Sequence, residues 1–474
     1  MSSSRRHFIR TMGVAAAGLM AGRRLSPAGV FGSPRRMPGS FLAKVAMTNT
    51  TNTPADSYVY DDPGGGVKQK VEYLLDLLDQ SGEVASLFAK GKKVVIKINL
   101  TGGSGSVGNA LLNGVPITEA QWTHPAVVRA VAEAILDAGV SAGDLTIVES
   151  LGSADAFTKS AYEGYQVVQG VLGCNLVDIS KGTFVDVSTG AGYFNYPSLT
   201  MNQILRDADV YVSIPKLKQH AEAGLTCSLK NQVGTVPQAL YETAAIQYRR
   251  QALHSPTNGS SAAFLPRSIC DLNAARPVHL AVVDGIRNAR GGEGVWISTF
   301  APSRSHVLIA GLDPVATDSV GASVLGLDCE ASRLPLPLRS STGDTQCDNY
   351  LDLLNTKGIG TNRLDQIQIV GDGAPLSAPA NAPPRRPAGF RLTGNFPNPF
   401  NPSTMIVFYA PQSAFVTLRI FDDTGRLIET LLDGHVTPGE HRLQWSGEGR
   451  ASGVYVCRMT AQGETQSLKL LYEK

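Results

Sequence analysis

The stretch HPAVVRAVAEAILDAGVSAGDLTIVES, residues 124–150, decides the fold class. Its first part reads as one helix, with Thr123 as N-cap, Pro125 in the first turn and Gly139 as the stop. DLTIVES then reads as a short strand. A helix that runs straight into a strand is the unit from which parallel sheets are built.

The same alternation extends to both sides. VKQKVEYLLDLLDQ, AFTKSAYEGYQVVQGVLG and DPVATDSVGASVLG carry helical periods, while KVVIKIN, NLVDIS, DADVYVSI, HLAVVDG, HVLIAG and DQIQIVG read as strands. The fold expected is α/β, a mainly parallel sheet with helices on both faces, over residues 46–372. GAPLSAPANAPPRRPAG marks a Pro/Ala-rich linker at 373–390. Beyond it, short strands separated by turn residues predict a small all-β, immunoglobulin-like sandwich over 391–474.

Residues 1–45 hold eight basic residues and no acid, and include S-R-R-x-F-I-R (Ser4 to Arg10) ahead of an apolar run, Met12 to Gly22, too short to span a bilayer. The formal charge of the whole is +2, so the chain without this leader carries eight fewer, or −6. That balance lacks the basic footprint of a nucleic-acid binder. The pattern is similar to a twin-arginine export signal, which implies the twin-arginine translocase as a partner. Six scattered cysteines contain no C-x-x-C pair, so no intrinsic iron–sulfur motif is present and free buried thiols are expected.

Ligands in open α/β sheets sit beyond the carboxyl ends of the strands. Lys97 and Asn99 end the first strand, with the Gly-rich TGGSGSVG loop after them, and Glu149 ends the second. Lys216, Lys218 and His220 follow DVYVSI, with Lys230 and Asn231 a little further on. Asp284 ends HLAVVD, and Asp313 and Asp318 follow HVLIAG. The lysines with Asn99 and Asn231 are candidates for holding a phosphate, carboxylate or other anion. His220 and His124 are the candidates for proton transfer. Glu149, Asp284, Asp313 and Asp318 are candidate ligands for a divalent metal, or ion-pair partners for the lysines, and Asp313 before Pro314 also reads as a helix N-cap. The Gly-rich loop RGGEGVW, residues 290–296, is placed to close over the site.

KVVIKIN, THPAVVRAVAEAILDAG, LTIVES, DADVYVSIPKLKQHAEAGLTCSLKNQVG, VVDGI and DPVATDSVGASVLG resemble the domain of unknown function 362 family over roughly residues 60–372. P-K-L-K-x-H and L-K-N-x-x-G are its most specific marks. The K-P-N of the family is K-I-N here, with Lys97 and Asn99 kept, and the four-cysteine module of many relatives is missing. NFPNPFNPSTMIVFYAP, VTLRIFDDTGRLIETLLDGHVTPGEHRLQW, SGVYVCRM and LKLLYEK resemble the C-terminal sorting domain of type IX secretion, with a FlgD-like immunoglobulin fold. That resemblance implies the type IX machinery as a second partner and delivery to the cell surface or medium, as in Bacteroidota. The expectation is an exported protein acting on an anionic small molecule. A surface binding protein without turnover and a redox protein are the alternatives.

Overall fold

The computed structural model describes residues 43–50, 66–101, 110–150, 163–242, 250–255, 261–338, 340, 343–373, 390–396, 400–437 and 439–473. The leader motif, the TGGSGSVG loop, most of the linker and the first part of the AFTKSAYEGYQVVQGVLG helix lie outside them. The chain divides into two units, Met1–Asn381 and Ala382–Lys474.

The first unit is built on one large mixed sheet. Its strands are β1 (Ala43–Asn49), β2 (Val94–Lys97), β3 (Leu145–Glu149), β4 (Asn175–Asp178), β5 (Val210–Ser213), β6 (Lys216–His220), β7 (Gly224–Thr226), β8 (Leu280–Arg290), β9 (Ala301–Gly311) and β10 (Ile367–Val370). They lie in the order β10-β1-β9-β8-β5-β2-β3-β4, while β6 pairs with β8 and β7. The run β8-β5-β2-β3-β4 is parallel throughout. β9 is antiparallel to both its neighbours, so HLAVVDG and HVLIAG are two arms of one long hairpin. No helix separates them, and a direct return can only be antiparallel.

The strands are apolar on both sides because both faces are covered. Val94 and Ile96 enter one core while Val95 enters the other, and Val282 and Val283 divide in the same way. Helices α1 (Gly66–Leu78), α2 (Pro125–Asp137) and α3 (Glu163–Leu172) cover the first face through Val71, Leu74, Val127, Val131, Ile135 and Val168. Helices α5 (Ser261–Ala275), α6 (Pro314–Val324) and α7 (Tyr350–Thr356) cover the second through Leu265, Ile269, Leu272, Val320, Leu351 and Leu354, and a one-turn helix α4 (Ser228–Asn231) lies below α6's Asp318. Burying one such Leu or Ile contributes about 1.5–3 kcal/mol, so the two cores rather than helix propensity hold the layers.

Three local outcomes differ from the sequence reading. The N-cap of α2 is His124, not Thr123: its Nδ1 accepts the Ala126 amide at 3.1 Å. Thr123 instead binds inward, donating to the Ile214 carbonyl at 2.7 Å and accepting the Asn99 amide at 3.0 Å. Strand β1 begins at Ala43, inside the span assigned to the leader, and it pairs on both edges. PKLKQH, read only as following DVYVSI, contains the strand β6, in which Leu217 enters the core and Lys216, Lys218 and His220 share the opposite face.

The second unit is all-β, with one sheet of three antiparallel strands (Arg391–Phe396, Ser403–Ala410, Gly439–Ser446) and one of four (Ala414–Asp422, Leu427–Val436, Gly453–Ala461, Glu464–Tyr472). Their shared core includes Phe400, Phe408, Trp445 and Tyr455. D-x-x-G-R forms the expected hairpin turn: Asp422 Oδ1 accepts the amides of Thr424 and Arg426, and Gly425 takes a positive φ of 83°.

Candidate functional site

Parallel pairing of β5, β2 and β3 brings Ser213, Lys97 and Val148 into register, so the carboxyl ends of these strands form one edge. Strand β6 continues past that edge, beside β8, with Lys216 opposite Asp284. The candidate lysines therefore converge, as expected of a strand-end site. Their chemistry then divides them into two pairs.

Lys97 and Lys216 are fully engaged. Lys97 Nζ donates to Glu149 Oε1 at 2.6 Å, to the Ile98 carbonyl at 2.6 Å and to Asn231 Oδ1 at 3.3 Å, which uses all three ammonium protons. Glu149 also accepts the amides of Leu100 and Ser150. Lys216 Nζ reaches Asp284 Oδ2 at 2.6 Å and the Arg287 carbonyl at 3.0 Å, with both partners of this ion pair sealed from solvent. Burial lowers the pKa of both lysines, and the facing carboxylates oppose that shift.

Lys218 and Lys230 have no carboxylate within ion-pair distance among the described residues. Lys218 Nζ donates to the Gln121 carbonyl at 2.7 Å and to Thr101 Oγ1 at 3.2 Å. Lys230 is 8% exposed and its ammonium donates no hydrogen bond to any described residue. Burial drives their pKa values down to about 7 for Lys218 and about 8 for Lys230; Glu293 opposes this and neighbouring cations add to it. These two amines titrate near neutrality, which the sequence alone does not show.

Both candidate histidines are held neutral. His220 Nδ1 accepts the amides of Glu222 at 3.0 Å and Ala223 at 3.2 Å, so the ring proton sits on Nε2. Burial pushes the pKa of His220 well down, although Glu293 lies 4.0 Å away. Nδ1 presents a lone pair to that carboxylate, so the contact is not an ion pair. His124 is likewise lowered by burial and by Lys216, and its amide donates to Asp284 Oδ2 at 2.8 Å. Each imidazole is a hydrogen-bond donor or cap rather than a strong base.

The four candidate metal ligands are not brought together. Glu149 and Asp284 face lysines. Asp313 caps α6, accepting the amides of Val315 and Ala316, and ties in Thr361. Asp318 accepts the amides of Ser228 and Leu229, both at 2.8 Å, and so anchors the start of the turn that carries Lys230 and Asn231. Burial raises its pKa to about 7 against those amides. Among the described residues no group of three or more His, Cys, Asp or Glu is arranged to hold a metal ion.

Asn231 links the rim: its side-chain oxygen accepts from Lys97 and Asn99, and its amide donates to the Lys97 carbonyl and Ser213 Oγ. The glycine of L-K-N-x-x-G has a steric cause. A Cβ on Gly234 would stand 2.8 Å from Lys97 Nζ and 3.0 Å from Glu149 Oε1, inside the ion pair. Two further charges escaped the sequence reading. Glu293, in the RGGEGVW loop, accepts the Ala221 amide at 2.9 Å and the Trp296 indole N–H at 3.2 Å. Burial would raise its pKa, but the Ala221 amide, its own amide and Lys230 work against that and favour the carboxylate. Arg250 binds Ser150 Oγ at 2.6 Å and the Val236 carbonyl at 2.8 Å, close enough to Lys230 to lower its pKa. Nothing in its local sequence marks it. A separate cleft of about 550 Å³ is lined by Lys93 and Asp144 before β2 and β3, by Asp178 and Lys181 at the end of β4 and by Asp207, and none of the candidate site residues lines it.

Residues 94–323, which carry all the candidate site residues, match the family described as Domain of unknown function (DUF362). The chain is also similar to a thylakoid-associated protein of Synechocystis sp., 27% identical over 255 residues, which is 54% of this chain and 70% of that protein.

Proposed function

We propose that the α/β unit takes up an anionic small molecule at the strand-end rim and acts on it, with Lys218, Lys230 and Arg250 meeting the negative charge. One observation carries this reading: among the described residues Lys218 and Lys230 are buried cations without a carboxylate at ion-pair distance, placed beside two others that have one. An unpaired buried charge is costly, and an incoming anion offsets that cost. His220 Nε2–H supplies an oriented donor, and Lys230 and Lys218 are the groups able to move a proton near pH 7. Capture without turnover is the second reading, favoured by the low pKa of both imidazoles.

Oxalate, which keeps its charge from about pH 6 to 9, tests the site at constant ionic strength. A ligand that binds only the folded chain stabilises it by about 2.7 kcal/mol at a hundred times its Kd. Because the amines must be protonated to attract it, the thermal shift should be largest near pH 6 and fade as pH rises through 7 and 8. A shift that does not change with pH would remove Lys218 and Lys230 from the site.

We also propose that the protein is exported by the twin-arginine route and then sent to the cell surface or medium by its C-terminal unit. The Arg5-Arg6 motif supports the first step. For the second, the N-F-P-N-P-F-N-P opening and the two antiparallel sheets support a sorting domain of immunoglobulin type. Among the described residues no helix is long and apolar enough to cross a membrane. In a bacterium with type IX secretion, Arg5→Lys with Arg6→Lys should hold the protein in the cytoplasm. Deletion of residues 391–474 should stop it in the periplasm, and protease accessibility on whole cells distinguishes the two. Surface delivery of both variants overturns the route.

A further inference from the structure

We infer that Lys230 is a carbonyl-condensing lysine, and that the molecule bound at the rim is a small 2-oxo acid held as an imine on its Nζ. This rests on the anion-site reading above and names its substrate class. The starting observation is geometric. A lysine kept only as a charged clamp is normally seated on acceptors, as Lys97 and Lys216 are here. Lys230 is more than nine-tenths buried and its Nζ meets no acceptor among the described residues. It stands on a turn whose first two amides are fixed by Asp318, so the backbone that carries it is anchored.

The surroundings favour the neutral amine. Burial is the main cause; Glu293 and Glu222 oppose it, and Arg250 and Lys97 add smaller effects in the same direction as burial. This is the arrangement by which a lysine becomes a nucleophile near neutral pH. Arg250, seated on the Val236 carbonyl and Ser150 Oγ, is the cation offered to the carboxylate of an oxo acid. The Glu293 carboxylate acts on the amine through its field, and Lys230 in turn acts on His220, whose Nε2–H is a donor.

The step balances without an outside oxidant or reductant. The Nζ lone pair forms a C–N bond to the carbonyl carbon, and the carbonyl electron pair moves to oxygen, which takes a proton. The carbinolamine then loses that oxygen as water. Net, the oxo acid and the amine give the imine and one water, the two hydrogens of the water coming from the amine.

The full-length protein should be incubated at pH 7.5 with pyruvate, glyoxylate or 2-oxoglutarate and then treated with borohydride, which adds hydride to an imine carbon and fixes the adduct. Intact mass should rise by the oxo acid less one oxygen, once per chain, and peptide mapping should place the adduct on Lys230. Lys230→Arg should keep the charge and lose the adduct. Thermal shifts with pyruvate and with lactate, which has no carbonyl, run in parallel. If both anions stabilise the protein and no adduct forms with any of the three oxo acids, the imine is overturned and the anion site stands. If neither stabilises it and no adduct forms, both fall. Adducts spread over surface lysines, or fixed on Lys218, also overturn the assignment to Lys230.

Discussion

Asp284→Ala should destabilise the protein by about 3–5 kcal/mol, because it leaves the Lys216 ammonium charged, sealed and facing a void. Asp284 also accepts the His124 amide at the start of α2 and, more weakly, the Ile286 amide, so its loss frees those donors too. Urea unfolding with a fixed slope gives the number directly. The charge and the hydrogen bonds separate by substitution. Asp284→Asn keeps an acceptor for His124 and removes the charge, and should fall between wild type and the alanine variant. Adding Lys216→Met to Asp284→Ala removes the stranded cation and should restore a large part of the loss, since apolar replacements of buried ion pairs are often neutral. A double variant as unstable as Asp284→Ala alone would mean that Lys216 carries no uncompensated charge there, and that the loss comes from packing and the freed amides.

The fold class was legible because helix period, strand period and stop signals agree in the stretch from His124 to Ser150, and α2 and β3 appear where those signals put them. The sites at strand ends were legible for the same reason, since a strand with a known direction has a known carboxyl end. What escaped was pairing over long sequence distance. The β8-β9 hairpin requires knowing that residues 291–300 turn back, and that loop is marked only by its glycines. The alternation of Leu217 between Lys216 and Lys218 was present in the residues, yet four polar side chains in five positions look like a solvated turn until both neighbouring strands are in place. Which lysine meets which acid could not be read at all. Lys97 and Glu149 are 52 positions apart and Lys216 and Asp284 are 68 apart, and only the sheet register joins them. Asp318 is legible as an acid that follows HVLIAG, but its partners are amides of a distant turn, which give no signal by residue type.

The double variant Lys218→Met with Lys230→Met should make the free protein more stable at pH 7, by about 1–4 kcal/mol, and abolish its response to anions. Methionine matches the stem of lysine and carries no charge, so the apolar packing remains and the burial cost of two ammonium groups that meet no carboxylate among the described residues disappears. That combination separates a site from a structural role, because a lysine kept for stability cannot be removed at a gain. The pH dependence supplies an independent check. Both amines have folded values, about 7 and about 8, below their unfolded value, so above pH 7 the unfolded chain binds more protons than the folded one. Wild-type stability should therefore rise from pH 7 to about 8.5, with a slope of at most about 1.4 kcal/mol per pH unit for each group. Beyond that range the six buried thiols, all raised by burial, pull the other way as they ionise in the unfolded chain. In the double variant the rise should flatten while the thiol limb remains. A variant that is less stable than wild type at pH 7 and keeps the rising limb would show that neither lysine is a strained, ligand-directed charge, and the rim would then be a structural network built around the pairs Lys97–Glu149 and Lys216–Asp284.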